Sequence, residues 1–308
     1  MKNRVIAVTG VTGFIGSRIA RHLSAAGWQV RGLVRRRSSR ERLEGVAGTW
    51  IEGDLTNSAS LRELVAGASA VIHCAGAVRG AGPEPFQRVN GAGVARLVPV
   101  LAAMTSPPAL LLISSLAARE PLLSDYAASK RRGEQELAAA AGSLSWAIFR
   151  PPAVYGPGDR ELVPLFRLMK WGIAPVLGVE DARFSLLHVD DLAAAVISWV
   201  GQKNRQNGTF ELHDGRHGGY SWREVIDTVV QLRGHPVVRL QVPVPLLAVA
   251  ASFNLQAARL LGYQPMLTPG KVRELKHLDW VCDNAPLHRT TGWVPEISLV
   301  EGLRPIVA

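Results

Sequence analysis

Five polar residues in the first half of the sequence have the types and spacing needed to move a proton. Tyr126 and Lys130 are four positions apart in a segment rich in Ala, Glu and Lys, which predicts a helix that presents both on one face. A free phenol, with a pKa of about 10, is a poor acid–base catalyst at neutral pH, and a neighbouring ammonium lowers that pKa. A hydroxyl partner is expected at the end of the preceding strand, where Ser114 and Ser115 both stand, and Asn90 could complete a relay. The set predicts proton transfer at a carbon–oxygen centre.

A glycine-rich turn lies between the first predicted strand, residues 5–9, and a predicted helix, residues 14–26. Gly10 permits a tight turn off the strand, Gly13 lets the backbone approach a pyrophosphate, and Gly16 lets the helix pack closely on the strand. The helix N-terminus offers its free N–H groups and the positive end of its dipole to the phosphates. The turn predicts a dinucleotide site, the alternative being a glycine-rich turn without a ligand. Its expected contacts are Gly10, Thr12, Gly13, Phe14, Ile15 and Gly16.

The end of the second predicted strand, residues 30–34, indicates which dinucleotide binds. A carboxylate at this position holds the ribose 2′-hydroxyl of NAD, whereas an arginine accommodates the 2′-phosphate of NADP. Arg35, Arg36 and Arg37 follow the strand directly, and no Asp or Glu stands among them. Guanidinium groups match a phosphate dianion in charge and in bidentate geometry. We therefore expect NADP(H) to be preferred, with NAD(H) possible; a solvated basic loop that merely tolerates NADP is the alternative.

Short apolar runs alternate with helical patterns through the first half of the chain. Such alternation is typical of a parallel sheet covered on both faces, so the sequence predicts an α/β protein with a Rossmann-type doubly wound parallel sheet and a smaller C-terminal substrate lobe. We place an NAD(P)-binding Rossmann domain at residues 1–155 and a mainly substrate-binding lobe at residues 156–308, with some segments returning to the sheet. The predicted strands are 5–9, 30–34, 49–52, 70–74, 110–114 and 146–149, and the predicted helices include 14–26, 86–104, 126–141, 192–200 and 221–232.

The composition argues against several other classes of protein. The 308 residues are 47% hydrophobic and 19% charged, which is ordinary for a globular protein. The net charge is +10, but no helix-turn-helix or zinc-finger spacing accompanies it, so we expect no nucleic-acid partner. Two cysteines, Cys74 and Cys282, suit a reducing, cytoplasmic location and cannot form a metal-ligand cluster. We therefore expect no metal.

An apolar stretch near the C-terminus bears on membranes. Residues 242–253 contain two prolines and are too short to span a bilayer, so we expect no integral membrane segment. The helix predicted at residues 246–261 is apolar enough to dock on a partner or a membrane surface. We favour the interpretation that this helix packs in the core or covers the active site.

Taken together, these motifs resemble the short-chain dehydrogenase/reductase superfamily, and within it the extended branch that holds the epimerases and dehydratases. The resemblance covers residues 9–191, well over half of the chain. The residues that carry it are the turn 9–16, Gly53-Asp54-Leu55, His73-Cys74-Ala75-Gly76, Asn90, Ser114-Ser115, Tyr126 with Lys130, the segment 150–159 and His188-Val189-Asp190-Asp191.

The resemblance implies a role for each matching position. Tyr126 would be the acid–base, Lys130 its pKa partner and a ligand of the nicotinamide ribose, and Ser115 a hydrogen-bond donor to the substrate oxygen. The implied activity is NADP(H)-dependent hydride transfer at a carbon–oxygen centre of a small-molecule substrate, and a homodimer through helices 86–104 and 126–141 is also implied. The other implied cofactor contacts are Asp54 and Leu55 beside the adenine, Ala75 and Gly76 in the cleft, and Pro151 and Val154.

Two positions depart from the pattern of the sugar-nucleotide members of that branch. Ala153 stands where an asparagine is common, and Phe184 stands where an arginine is common, although Arg183 is adjacent. Both changes remove groups suited to a diphosphate and argue against a standard nucleotide-sugar substrate. The short segment between Ser115 and Tyr126 and the arginine-rich end of the second strand resemble instead the reductases that act on less charged ketones and alcohols. Two alternatives stay open: a nucleotide-sugar epimerase or dehydratase that retains NAD(P), and a non-catalytic NADPH-binding scaffold resembling the accessory subunit of respiratory complex I.

Overall fold

A parallel β-sheet of seven strands organises the part of the chain that the computed structural model describes, residues 5–179 and 182–307. The strands are β1 (Val5–Thr9), β2 (Gln29–Val34), β3 (Gly48–Glu52), β4 (Ala70–His73), β5 (Ala109–Ile113), β6 (Trp146–Arg150), β7 (Ala153–Tyr155), β8 (Ile173–Leu177), β9 (Arg183–Phe184), β10 (Leu186–His188), β11 (Gly208–Glu211), β12 (Val238–Val242) and β13 (Asp279–Trp280). The helices are α1 (Phe14–Ala25), α2 (Ser58–Val65), α3 (Pro83–Phe86), α4 (Ala92–Ala102), α5 (Asp125–Ala140), α6 (Val163–Lys170), α7 (Val189–Gly201), α8 (Trp222–Arg233), α9 (Val244–Leu261), α10 (Pro269–Lys276), α11 (Ala285–Thr291) and α12 (Leu299–Val307).

The strands of the sheet lie in the order β3, β2, β1, β4, β5, β6, β11, and every adjacent pair is parallel. The chain runs outward from β1 to β3, returns to β4 on the other side of β1, and then runs outward again. Such a reversal opens a crevice at the carboxyl ends of β1 and β4, where ligands bind in open α/β sheets. The predicted Rossmann-type fold is confirmed, with β11 adding an edge strand from the second half of the chain.

Alternating side chains of the sheet fill two apolar layers, one on each face. On β1, Ile6 and Val8 belong to the layer under α1 and α7, whereas Ala7 belongs to the layer under α2, α4 and α5. All five residues of β5 are buried, because helices cover this central strand on both faces. This double burial explains why the predicted central strands read as continuous apolar runs.

The C-terminal lobe has a separate apolar cluster built from α6, α8, α12 and β8. Tyr155 of β7 and Phe166 of α6 meet edge to face in this cluster, with ring centroids 5.9 Å apart. Strand β7 pairs in parallel with β10, and Tyr155 is opposite His188 in that pair. The lobe is thus anchored to the chain segment that leaves β6 beside the crevice.

Helix α9 is not the core helix that its sequence predicts. It runs for 18 residues, and among them only Leu247, Ala251 and Ala258 are buried. The predicted window 242–253 was too short because the helix continues to Leu261. By length and composition alone, α9 is apolar enough to cross a membrane, and 17% of it is buried. The expectation of no membrane-spanning segment therefore stays a prediction, and the interpretation of α9 as core packing is wrong.

Candidate active site

Two glycines of the turn after β1, Gly10 and Gly16, leave no room for a side chain. Gly10 has φ +66°, and a Cβ there would lie 2.6 Å from the amide nitrogen of Ala75. A Cβ on Gly16 would lie 2.2 Å from the carbonyl oxygen of Gly10, so α1 packs directly on the turn. Gly13 closes the turn by donating its N–H to Gly10 over 2.9 Å and precedes α1 without a side-chain cap. Because the first N–H groups of α1 have no side-chain partner there, they are available to a pyrophosphate.

The far end of the crevice carries the basic run that follows β2. Arg35 and Arg36 are exposed, and neither forms an ion pair with any described residue. Asp54, after β3, has its pKa lowered chiefly by hydrogen bonds from Thr56, with a smaller contribution from the charge of Arg35. Arg35 is therefore close to the residue expected beside the adenine. Guanidinium groups free at this place are available to a 2′-phosphate.

Tyr126 stands in the first turn of α5, which Ser124 caps by accepting the N–H of Ala127 over 3.0 Å. Ser115 follows β5 and lies close enough to the Tyr126 side chain to lower the pKa of the phenol. Burial acts in the opposite direction with the larger effect and raises the pKa of Tyr126 to about 12. The phenol is therefore protonated at neutral pH, so Tyr126 is in the state that donates a proton and not in the state that accepts one.

Lys130 is buried one helical turn along α5 and donates from Nζ to the carbonyl oxygen of Ile113 over 3.1 Å. Burial lowers the pKa of Lys130 to about 8. The side chains of Cys74 and Glu134 oppose this shift in part, because their charges favour the ammonium. Lys130 is not among the groups that shift the pKa of Tyr126. The pKa of Tyr126 is thus raised where a fall beside Lys130 was expected, because desolvation outweighs the effect of Ser115; the role of Lys130 as partner of Tyr126 stays a prediction.

Gly76 and Asn90 adjoin the lysine at the floor of the crevice. A Cβ on Gly76 would lie 3.1 Å from Nζ of Lys130 and 3.2 Å from Oδ1 of Asn90. Asn90 lies in a π-helical turn, Gln87–Gly91, that joins α3 to α4 and interrupts the regular helix predicted at 86–104. Its amide group exchanges hydrogen bonds with Ala77 and donates to Ser129 over 2.8 Å. These contacts hold the loop after β4 against α5, and a relay through Asn90 stays a prediction.

The two serines after β5 have different partners. Ser114 donates to Oε1 of Glu134 over 2.6 Å in a buried contact, and Arg150 binds both oxygens of that glutamate. Ser115 instead faces Tyr126 and accepts the N–H of Ala117 over 3.2 Å. The geometry thus assigns Ser114 to a structural network and Ser115 to the site.

The segment after β6 brings the remaining expected residues to the edge of the crevice. The carbonyl of Pro151 accepts the N–H of Leu116 over 2.8 Å, next to Ser115, and Val154 pairs with Leu187 in β10. Ala153 is exposed.

The surroundings of Phe184 are apolar. Phe184 packs against Trp222 with ring centroids 5.1 Å apart. Arg183 donates to the carbonyls of Gly218 and Gly219 over 2.6 and 2.8 Å, and it lies 3.3 Å from Glu224. Arg183 therefore holds a loop of the lobe and does not replace a diphosphate ligand at position 184.

Glu274 is a residue at this site that the sequence did not reveal. It is buried on α10, accepts a hydrogen bond from Ser124 and another from Nζ of Lys271 over 2.9 Å, and its charge contributes to the raised pKa of Tyr126. No local pattern signals a contact between positions so far apart along the chain. The signal available was a single glutamate among Lys271, Arg273 and Lys276, in a segment otherwise poor in acids.

Comparison with known proteins agrees with this geometry. The chain is 36% identical over 299 residues to the ceramide reductase of Caulobacter vibrioides, a match that covers 97% of this chain and 92% of that protein. It is 28% identical to the 2-alkyl-3-oxoalkanoate reductase of Stenotrophomonas maltophilia, over 98% of both chains.

A solved structure shows the same fold. The UDP-glucuronic acid 4-epimerase of Bacillus cereus, in complex with UDP-glucuronic acid and NAD, superposes with a TM-score of 0.76 and 17% identity, over 98% of both chains. The sequence profile of the NAD dependent epimerase/dehydratase family matches residues 6–212. The predicted class, an NAD(P)-dependent enzyme of the extended short-chain dehydrogenase/reductase type, is thereby confirmed. The chain belongs to the NAD dependent epimerase/dehydratase family.

Proposed function

We propose that this protein is an NADPH-dependent carbonyl reductase that converts the 3-oxo group of a lipid with two hydrocarbon chains into a hydroxyl group. Tyr126 donates the proton, Ser115 holds the carbonyl oxygen, and the basic run after β2 selects the phosphorylated dinucleotide. The observation that carries this proposal is the placing of Tyr126 beside Ser115 and one helical turn from the buried Lys130, at the crevice beyond the carboxyl end of β5. Reduction of a ketone needs a proton donor at that place.

The residues around the crevice fit NADPH. The uncapped start of α1 offers N–H groups to the pyrophosphate. Arg35 and Arg36 are exposed and have no carboxylate beside them in the strand-end loop, which suits the 2′-phosphate. The missing side chain of Gly76 leaves room beside Nζ of Lys130, and we assign that ammonium to the nicotinamide ribose.

The chemistry follows from the order of these groups. NADPH, which the glycine turn, Arg35 and Lys130 would hold, would supply the hydride for the carbonyl carbon. As charge develops on the carbonyl oxygen, Ser115 donates a hydrogen bond to it, and the O–H bond of Tyr126 breaks so that the proton joins the same oxygen. The phenolate left on Tyr126 then takes one proton from solvent, which restores the starting state. Ketone, hydride and one proton thus balance to one alcohol.

The substrate class rests on the relatives and on the apolar character of the lobe. The names ceramide reductase and 2-alkyl-3-oxoalkanoate reductase both denote reduction in lipids that carry two hydrocarbon chains. In this chain, Ala153 and Phe184 occupy the two positions expected to hold a diphosphate in sugar-nucleotide members, and Phe184 packs on Trp222. An apolar acyl chain fits such surroundings better than a diphosphate.

The two alternatives are less well supported. A nucleotide-sugar epimerase would need polar ligands where Ala153 and Phe184 stand, and Arg183 is engaged with the carbonyls of Gly218 and Gly219. A scaffold that never turns over has no need of Ser115, Tyr126 and Lys130 arranged around one crevice.

The test is reduction of defined ketones by the purified full chain. Detergent-dispersed 3-oxo-ceramide and a 2-alkyl-3-oxoalkanoate are incubated with NADPH, and the loss of NADPH absorbance is compared with the alcohol formed. We expect stoichiometric conversion of at least one ketone. Interconversion of UDP-glucose and UDP-galactose, with no ketone reduced, would refute the proposal in favour of an epimerase.

Ser115→Ala and Ser114→Ala form a matched pair for the same assay. Removing the Ser115 hydroxyl is expected to lower kcat by about 10²-fold, the effect of losing one donor to a developing oxyanion. Removing the Ser114 hydroxyl is expected to leave kcat close to that of the parent protein and to lower the free energy of unfolding by about 1–2 kcal/mol, because a buried hydrogen bond to Glu134 is lost. Equal effects of both variants on kcat would show that the assignment of Ser115 is wrong.

A further inference from the structure

Helix α9 presents an apolar stripe to solvent. Leu246, Val249, Phe253 and Leu260 recur at spacings that place them on one side of a helix, and they are 59%, 54%, 74% and 86% exposed. The buried residues of α9 lie on the opposite side, where Leu247 and Ala251 pack against Val272 of α10. The exposed stripe is therefore a second face of the helix, with no described residue covering it.

The β8–β12 ribbon, whose strand β12 leads into α9, exposes two further apolar side chains. Val238 and Leu240 are 71% and 54% exposed, and Val242, two residues further along the same face, packs with α9. Arg239 points to the other face, because it forms an ion pair with Asp227 of α8 over 2.8 Å. We call the six residues Val238, Leu240, Leu246, Val249, Phe253 and Leu260 the apolar face.

The charge around the apolar face is one-sided. No Asp or Glu occurs between Asp227 and Glu274, whereas Arg233, Arg239, Arg259, Lys271 and Arg273 do. Arg239 and Lys271 pair with the flanking Asp227 and Glu274. Among the described residues, Arg259 and Arg273 have carbonyl partners and no carboxylate partner, so the stretch keeps an excess of positive charge. An exposed apolar stripe in a segment with such an excess is complementary to a surface of anionic headgroups over hydrocarbon. Two copies of the same face would bring like charges together, which disfavours self-association.

Helix α9, which carries most of the apolar face, and α10, on which α9 packs, contact the two sides of the active-site crevice. On one side, Arg259 at the end of α9 donates to the carbonyl of Ala81 over 3.3 Å, and Pro265 accepts the N–H of Gly80 over 3.4 Å. Both partners lie in the loop after β4 that Asn90 holds. This contact joins the apolar face to the cofactor side of the crevice.

On the other side, α10 is fastened to the start of the helix that carries Tyr126. Arg273 donates to the carbonyl of Leu123 over 2.7 Å, and Glu274 accepts from Ser124, the cap of α5. The apolar face is therefore attached at the mouth of the crevice and not at a remote part of the molecule.

We propose that the apolar face docks on the surface of an anionic phospholipid bilayer, with α9 lying in the plane of the interface. A helix of this kind inserts its apolar side among the acyl chains while its other side stays on the protein, which matches the packing of Leu247 and Ala251 on α10. A lipid ketone then enters the crevice from the bilayer without crossing water. The choice of a membrane-resident substrate rests on the proposed function; the docking itself rests on the exposed residues and charges.

The test is flotation of the full chain with vesicles. Equimolar phosphatidylglycerol–phosphatidylcholine vesicles are compared with vesicles of phosphatidylcholine alone, using the parent protein, the double variant Val249→Asp/Phe253→Asp and the control Val294→Asp. Val249 and Val294 are equally exposed, at 54%. We expect the parent and the control to float with the anionic vesicles and to be released by high salt. We expect the double variant to bind these vesicles at least about tenfold more weakly than the parent.

The other outcomes test membrane docking and the proposed function separately. No flotation of the parent protein, or equal flotation with neutral vesicles, would overturn the proposal, as would a parent protein that resists both salt and alkaline extraction as a spanning helix does. A dimer of the parent that the double variant loses, without vesicle binding, would assign the face to a second copy. Flotation without reduction of any ketone would refute the proposed function and leave docking intact. Reduction of a water-soluble 3-oxo ester by the double variant at the parent rate would show that its site is undamaged.

Discussion

The parallel sheet and the segment 238–276 use apolar side chains in opposite ways. In the sheet, β5 is buried over its whole length and Phe149 on β6 is completely buried. In the segment 238–276, Phe253 and Leu260 are more than two-thirds exposed. The sheet follows the usual rule that apolar side chains specify a core, whereas the segment carries an exposed apolar area of the kind that marks an interaction site. The difference teaches that an apolar pattern identifies a face to be covered and does not say what covers it.

The largest expected effect lies in the crevice of the sheet. Tyr126→Phe removes the proton donor while keeping the aromatic ring that meets Phe86 at 6.0 Å. We expect kcat for ketone reduction to fall by about 10²–10⁴-fold, with the Kd for NADPH close to that of the parent protein. Steady-state rates and nicotinamide fluorescence titration measure the two quantities. A rate that the variant retains would remove Tyr126 from the mechanism.

Substitution of two phenylalanines, one buried in the sheet and one exposed on α9, tests the contrast between the two regions. Phe149→Ala empties a buried position of the sheet and is expected to lower the free energy of unfolding by about 3–5 kcal/mol. Phe253→Ala removes an exposed side chain of α9 and is expected to change that free energy by less than about 0.5 kcal/mol. Urea denaturation followed by circular dichroism measures both. A large loss for Phe253→Ala would show that α9 is covered in solution.

A substitution of Arg35 tests whether the end of β2 selects NADPH over NADH. Arg35→Asp exchanges an exposed guanidinium for a carboxylate at the end of β2, where it would repel a 2′-phosphate. We expect the Kd for NADPH to rise by about 10–100-fold, the effect of losing charge-assisted hydrogen bonds, with the Kd for NADH equal or lower. Arg289→Asp, an exposed arginine on α11, is the control for net charge. If NADH already binds the parent as tightly as NADPH, the arginine argument fails.

A smaller effect is expected from pH. The pKa of Lys130 is lowered to about 8, so its ammonium is present below that pH and is lost as the pH rises through it. We expect kcat/KM for NADPH to be level below about pH 8 and to decline above it, since this ratio reports groups of the free enzyme. Lys130→Arg keeps a cation and should move the decline to higher pH. The same decline in that variant would assign it to another group.

The parts of the fold that are set by local sequence could be predicted. Gly10, Gly13 and Gly16 stand between a strand and a helix, so the turn was predicted from neighbouring residues alone. The sheet was predicted from the alternation of strand and helix patterns, and the regular part of helix 86–104 from its own local pattern. Its π-turn at Asn90 was not, because the turn depends on hydrogen bonds to Ala77 and Ser129, which come from other elements.

The parts of the site that depend on long-range burial could not be predicted. The pKa of Tyr126 was expected to fall beside Lys130, yet burial and the charge of Glu274 raise it. Glu274 reaches the site from α10, and nothing near position 126 signals it. Helix α9 was misread for a related reason: its apolar residues lie on two faces, and only one of these faces the protein. The contacts of Arg35 and of Ser115 with their ligands stay predictions.

Transfer of a labelled hydride tests the central claim most directly. The purified protein is given a 3-oxo lipid in phosphatidylglycerol-containing vesicles and NADPH that carries deuterium at the transferable position, and the lipid product is analysed by mass spectrometry. A net reductase predicts an alcohol with one deuterium on the carbinol carbon for each NADPH consumed. An absence of labelled alcohol, together with conversion of a sugar nucleotide without net consumption of NADPH, would contradict the account.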